Sequence, residues 1–182
     1  MSSEKMGPVG GDTGGAFNDG VFDGVKKITV VTDGTNIDCV SYIKIEYVKD
    51  DKIETRVHGT IVGGLAFQQQ EFEVDYPSEC FIAVGGSYGH VDLYKTVLIK
   101  SLIFKTSHGR TSPVLGQPNS SGSPNDKEFM FEGKNGGKLL GFHGRSGEAI
   151  DAIGVYFGTA SGGGGSQKLE LRIGEGCGNG GT

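Results

Sequence analysis

At 182 residues the chain can hold one well-buried domain with a tail, and 35% hydrophobic residues, 34 glycines and no tryptophan point to short segments between many tight turns. The glycine follows no Gly-X-Y period, which excludes collagen, and no long stretch is both glycine-poor and apolar at 3.6-residue spacing, which leaves no place for long helices. A net charge of −5 without a basic patch excludes a nucleic-acid partner held through its phosphates.

The opening residues 1–6 are polar and lack an apolar h-region, so they are read as an N-terminal extension and no secretory signal is expected. No apolar run approaches the length of a membrane span. Cys39, Cys80 and Cys177 form an odd set without CxxC spacing, which fits a reducing compartment and no structural zinc. Asn119-Ser120-Ser121 is a glycosylation sequon expected to stay unused. A cytoplasmic or nucleocytoplasmic protein is the expectation.

From Ser41 to Val48, Ile43, Ile45 and Tyr47 share one strand face and Lys44 and Glu46 the other. Lys49-Asp50-Asp51-Lys52 interrupts this pattern, and Ile53, Thr55 and Val57 resume it, which predicts a hairpin. Glu71 to Tyr76 alternates acidic and apolar residues without exception. Leu98–Thr106, Phe129–Phe131, Leu139–His143 and Ala152–Phe157 add further strands. Ten to twelve short strands predict an all-β sandwich, barrel or prism. The domain is set at 7–158. Beyond it, 159–182 reads as a Gly-rich linker and the truncated start of a second repeat, expected to be disordered.

Repetition runs through this pattern. Glycine pairs recur at Gly14-Gly15, Gly63-Gly64 and Gly136-Gly137, and short turns that face them are expected at 34–38, 86–90 and 147–151. Three pairs and three turns suggest an internal threefold arrangement. In the last turn, Gly147-Glu148-Ala149-Ile150-Asp151 sets one carboxylate beside bare backbone amides, and Gly14-Gly15 can complete it. A fixed carboxylate accepts from adjacent hydroxyls while amides donate to other oxygens, which suits a neutral polyol and repels phosphate. The alternative is a turn Asp that satisfies local amides.

Chemistry fails on spacing elsewhere. Gly144-Arg145-Ser146-Gly147-Glu148 has Glu148 where a nucleophile elbow needs glycine. In Gly133–Leu139, Leu139 replaces the Ser/Thr of a phosphate loop. His58, His90, His108 and His143 are scattered singly, without ligand spacing. No enzyme class is supported.

Together, Gly10-Gly11-Asp12-Thr13-Gly14-Gly15-Ala16-Phe17-Asn18-Asp19-Gly20 and the segment Gly141 to Val155 resemble the jacalin-related lectins of plants, in particular the mannose-specific branch. Asp75–Glu79 and Gln167–Glu170 look most like the crucifer members, which include myrosinase-binding-type proteins with tandem domains. The resemblance implies a β-prism of three four-stranded antiparallel sheets with pseudo-threefold symmetry, and a metal-free sugar pocket without cofactor. It implies that Gly15, Glu148 and Ala149 donate backbone amides, and that Asp151 accepts from O4 and O6. Gly147 is expected to give the turn a positive φ. Mannose or glucose is favoured over galactose, because Gly15 lies inside a continuous chain and the loop before Asp151 carries no aromatic. A second pocket is expected from Gly64, Thr35, Asn36 and Asp38, by the shared Gly-x-x-x-Asp spacing, while His90 would weaken a third. Expected partners are mannose-type glycans or glycoproteins, and a homo-oligomer is compatible. The other function class is a protein-interaction scaffold that docks on a glycoprotein enzyme, such as a myrosinase, or on another lectin domain.

Overall fold

The computed structural model describes residues 2–33, 39–61, 67–116 and 125–158. Three antiparallel hairpins form its frame: β3 (Gly24–Asp33) with β4 (Val40–Lys49), β7 (Phe81–Val91) with β8 (Thr96–Thr106), and β11 (Leu139–Ser146) with β12 (Ile150–Gly158). Each gains an outer strand on both sides. On β12 and β11 these are β1 (Ser3–Gly10) and β2 (Gly15–Asn18). On β4 and β3 they are β5 (Lys52–Gly59) and β6 (Phe67–Glu73), and on β8 and β7 they are β9 (Leu115–Gly116) and β10 (Lys127–Glu132). Three four-stranded sheets result, and a 3-10 turn at Lys134–Gly136 is the one helical element among the described residues.

The alternating residues explain why the sheets close into a prism. Ile43, Ile45 and Tyr47 from one hairpin, Ile99, Leu102 and Phe104 from the second, and Phe142, Ile153 and Val155 from the third meet in one cluster. All nine are buried, so each sheet supplies one wall of a shared core. Phe72 and Val74 are also buried, as the 71–76 alternation predicts. Residues 3–6, expected in an extension, instead pair with β12 from Ser3↔Gly158 onward. Their polar composition hides a strand whose Met6 and Val9 still reach the core.

Two further expectations are revised. Ile53 and Val57 do not turn inward; they are 47% and 52% exposed. Val57 pairs with Lys44 and Thr55 with Glu46, which puts them on the outer face. The inner side of β5 carries Arg56 over the Phe22 ring and His58 stacked on Phe17, with His58 Nε2 2.8 Å from Asp19 Oδ1. Among the cysteines, Cys39 is buried and Cys80 is disulfide-bonded, where the odd, scattered set by itself fits a reducing compartment.

The threefold repeat is real, but its register differs from the expected one. Each central hairpin carries a bulge that leaves one residue without a cross-strand partner. That residue is Asp151 between Arg145↔Ala152 and Ser146↔Ile150, Ser41 between Val31↔Tyr42 and Thr32↔Val40, and Lys100 between Ser87↔Ser101 and Tyr88↔Ile99. Against their three carbonyl oxygens lie Gly10, Gly59 and Gly116, with φ of +124°, +88° and +101°. A Cβ on any of them would run into that oxygen. Residues 86–90 lie inside β7, and the turn of that hairpin is 92–95. Gly136-Gly137 is displaced too: Gly137 packs on Gly158, at the far end of β12 from Asp151.

Candidate functional site

At the tips of two hairpins lies a pocket of about 240 Å³. Its floor is Asp151, the bulged residue of β12, only 5% exposed. The Asp151 carbonyl accepts from the Gly11 amide at 2.7 Å, so the strand and the loop ahead of β2 are tied together. Oδ2 of its carboxylate accepts from the Thr13 hydroxyl at 2.7 Å, and Thr13 Oγ1 lies 2.9 Å from Thr96 Oγ1. Oδ1 faces Gly14, where a Cβ would stand 2.5 Å from it and where φ is +78°. Any side chain at Gly14 would therefore fill the site.

Gly15 opens β2 opposite Ser146, and a Cβ there would meet only Ser146 O at 3.8 Å. Gly14, not Gly15, lines the pocket. Gly147 also differs: its φ is not positive. The tip is closed instead by the Gly147 amide donating to Ala149 O at 3.0 Å, while Thr60 Oγ1 donates to Gly147 O at 2.9 Å. The amides of Glu148 and Ala149 take no part in these bonds. Glu148 is exposed at the rim, whereas Ala149 is buried against Cys39, Val91 and Leu98.

Five contributors escaped the sequence. Arg145 donates through Nε to Thr13 O at 3.0 Å and through Nη2 to Gly14 O at 2.7 Å, clamping the loop above Asp151. Tyr94, Thr96 and Leu98 build a wall from the β7–β8 hairpin, so the aromatic missing from 147–151 is supplied by a distant segment. Thr13 caps the carboxylate itself. Only Arg145 left a local signal, as a cation two positions before Gly147 on the strand that pairs with β2. The two carboxylates at the pocket, Asp151 and Glu148, disfavour anions, while hydroxyls and amides suit a neutral, hydroxyl-rich ligand. Among the described residues no group of three or more His, Cys, Asp or Glu is gathered as metal ligands.

Gly64, Thr35, Asn36 and Asp38, expected to form a second pocket, lie outside the described residues. The bulge register puts Ser41 at the position of Asp151. Ser41 is 2% exposed and donates to Val31 O at 3.1 Å. In the β7–β8 hairpin Lys100 holds that position, with Nζ 2.9 Å from Asp126 Oδ2. His90 lies on β7 beside Asp92 rather than in a turn. Of the bulged residues Ser41, Lys100 and Asp151, Asp151 alone carries a carboxylate.

The jacalin-like lectin domain model matches residues 6–156. The chain is 62% identical over 155 residues to myrosinase-binding protein 2 of Arabidopsis thaliana, covering 85% of this chain but 23% of that protein. Identity to jacalin-related lectin 22 of the same plant is 44%, over 84% of this chain and 32% of the relative. The chain thus spans a quarter to a third of the length of these relatives. Among solved structures, a mannose-specific jacalin-related lectin from Morus nigra in complex with mannose superposes with a TM-score of 0.72 at 26% identity, over 86% of this chain and 95% of the other. An artocarpin–mannotriose complex does so with a TM-score of 0.72 at 25% identity, over 87% and 99%.

Proposed function

The chain belongs to the jacalin-like lectin family, and on that footing we propose that it binds mannose- or glucose-type glycans without a metal. The observation that carries this reading is Asp151: a carboxylate buried to 5% exposure, fixed by a bulge at the floor of a pocket. In it, Asp151 accepts from sugar hydroxyls. The amides of Glu148 and Ala149, together with that of Gly14 or Gly15, donate to the remaining oxygens. Two structural neighbours bearing mannose and mannotriose support the choice of sugar.

Each hydrogen bond to a charged group contributes about 1.5–3 kcal/mol, against about −4 kcal/mol for a millimolar site. Asp151→Ala is therefore expected to abolish binding of methyl mannoside, with the circular dichroism spectrum unchanged. Calorimetric titration checks this, and binding by the unaltered protein is expected to persist in EDTA. Loss on chelation would overturn metal independence.

A second reading rests on the 62% identity to a protein named for binding myrosinase. The domain then docks on a glycoprotein enzyme, and the sugar pocket is the natural contact. Free methyl mannoside is expected to release such a partner; retention at saturating sugar would place the contact on another face.

A further inference from the structure

β5 is an outer strand of its sheet, and among the described residues only β4 pairs with it. It runs from Lys52 to Gly59 without a register shift. The turn leading into it is Asp50-Asp51, with φ of +50° and +63°, closed by the pair Lys49↔Lys52. Two such values mark a two-residue type I′ hairpin, whose closing residues exchange both backbone bonds. Bonded and non-bonded pairs alternate from there. Glu54 and Arg56 therefore bond to β4, while Ile53, Thr55 and Val57 turn their N–H and C=O groups outward. The side chains of the same three residues lie on the outer face, where Ile53 and Val57 are about half exposed. A straight edge bearing exposed β-branched residues is a template for a further strand.

We propose that β5 is the contact between two copies of this chain, joined antiparallel about a twofold axis at Thr55. Charge and hydrogen-bond phase together single out a second copy as the occupant. In this register Thr55 meets Thr55, Ile53 meets Val57 of the second copy, and Glu54 meets its Arg56. The twofold axis repeats the last two pairs. The residues with outward backbone groups face one another and pair. Glu54 and Arg56 meet at non-bonded positions, where side chains approach most closely. A register centred on Glu54 or on Arg56 would instead set like charges opposite each other. In one copy Arg56 spans this edge, with Nη1 donating to Thr55 O at 3.0 Å and Nη2 to Glu54 Oε2 at 3.3 Å. The two side chains are 45% and 42% exposed, so that ion pair contributes little. The second copy offers the same kinds of partner, an N–H for the Thr55 carbonyl and a carboxylate for the guanidinium. At the flanks Lys52 comes opposite His58, whose Nε2 is held by Asp19 Oδ1 at 2.8 Å. The contact does not depend on what the pocket binds, but it places the pockets. Thr60 Oγ1 donates to Gly147 O, so the Gly59 end of β5 lies beside the pocket. Pairing sets the two Gly59 residues roughly 26 Å apart, at about 3.3 Å per residue, one pocket at each end.

Sedimentation velocity of the full chain over a micromolar to millimolar series is expected to show a concentration-dependent dimer, and a monomer throughout overturns the proposal. Thr55→Pro removes an outward N–H that β4 does not use, so it should keep the circular dichroism spectrum and abolish the dimer. Glu54→Arg and Arg56→Glu each set like charges opposite at two places at once and should weaken association about tenfold. The double variant exchanges the two charges and should restore the unaltered value. A dimer that survives Thr55→Pro lies on another face and overturns the proposal. So does a double variant that associates no more tightly than the single ones, because this register is then excluded. If Thr55→Pro does not fold, the charge exchange decides alone, with the urea midpoint of each variant compared with that of the unaltered chain.

Discussion

Glu79 is 2% exposed and accepts four hydrogen bonds, from Arg110 Nε and Nη2 at 2.8 Å each, from the Thr106 hydroxyl at 2.6 Å and from the Asp75 amide at 3.1 Å. The Arg110 guanidinium above all, against the opposing effect of burial, holds its carboxyl down to about 2, from an ordinary 4.5. Because the folded value lies below the unfolded one, the stabilisation is complete above pH 4.5 and is lost as pH falls from there towards 2. Burial also pushes His143 below its ordinary 6.5, and its Nε2 lies 2.9 Å from the Met6 carbonyl. That group weakens the fold from about pH 6.5 downward, since the unfolded imidazole takes up its proton first. Glu79→Gln is expected to remove the limb between 4.5 and 2 while leaving the His143 limb in place. Since half-exposed Arg110 lets water screen the pair, the loss at neutral pH is set at roughly 2 kcal/mol; urea unfolding across the pH range measures both. Asp151 was legible at this scale because its glycine-flanked motif is local. Thr13 and Tyr94 were not, because they reach the pocket from the β1–β2 connection and the β7–β8 turn, far away in the sequence.

Among the elements, period-two alternation exposed β4 and β6 without the structure, since one buried face repeats every second residue. It failed for β5, where an edge strand turns its apolar residues to solvent and its Arg56 and His58 inward to partners in β2 and the following loop. Glycine spacing misled as well. Gly86 and Gly89 suggest a turn but sit within β7, where the missing side chains make room for the Ser101 carbonyl and for the Asp126 carboxylate. The Gly10, Gly59 and Gly116 set is the truer signature of the repeat. At Gly59 a Cβ would collide with the Ser41 carbonyl, a rigid backbone atom, at a φ of +88°. Gly59→Ala is therefore expected to destabilise by about 2 kcal/mol or more. Gly109→Ala, with φ of +76° but nothing within 4 Å, should cost only about 1 kcal/mol of backbone strain. Equal midpoints for the two variants in chemical denaturation would remove the collision as the cause.

For the whole molecule, closure depends on β1. It pairs with β12, so the first described strand completes the sheet that holds the candidate pocket. Met6 and Val9 pack on the core, and Glu4 meets Lys134 at 3.2 Å. Deleting residues 2–10 is expected to abolish cooperative unfolding, because β12 would then carry an unpaired edge beside an opened core. Removing residue 1 alone should leave the urea midpoint where it is, and an unchanged midpoint after the longer deletion would show that the sheet closes without β1. The same pairing has a geometric outcome. Ser3 lies opposite Gly158, so the chain enters and leaves the prism side by side. Asp151 stands at the other end of β12, roughly 23 Å away at about 3.3 Å per residue. Copies strung on one longer polypeptide would hang from it like leaves from a stem, attached at their bases. Every tip, with its pocket, would point away from the thread, and adding another copy would never bury the mouth of the one before.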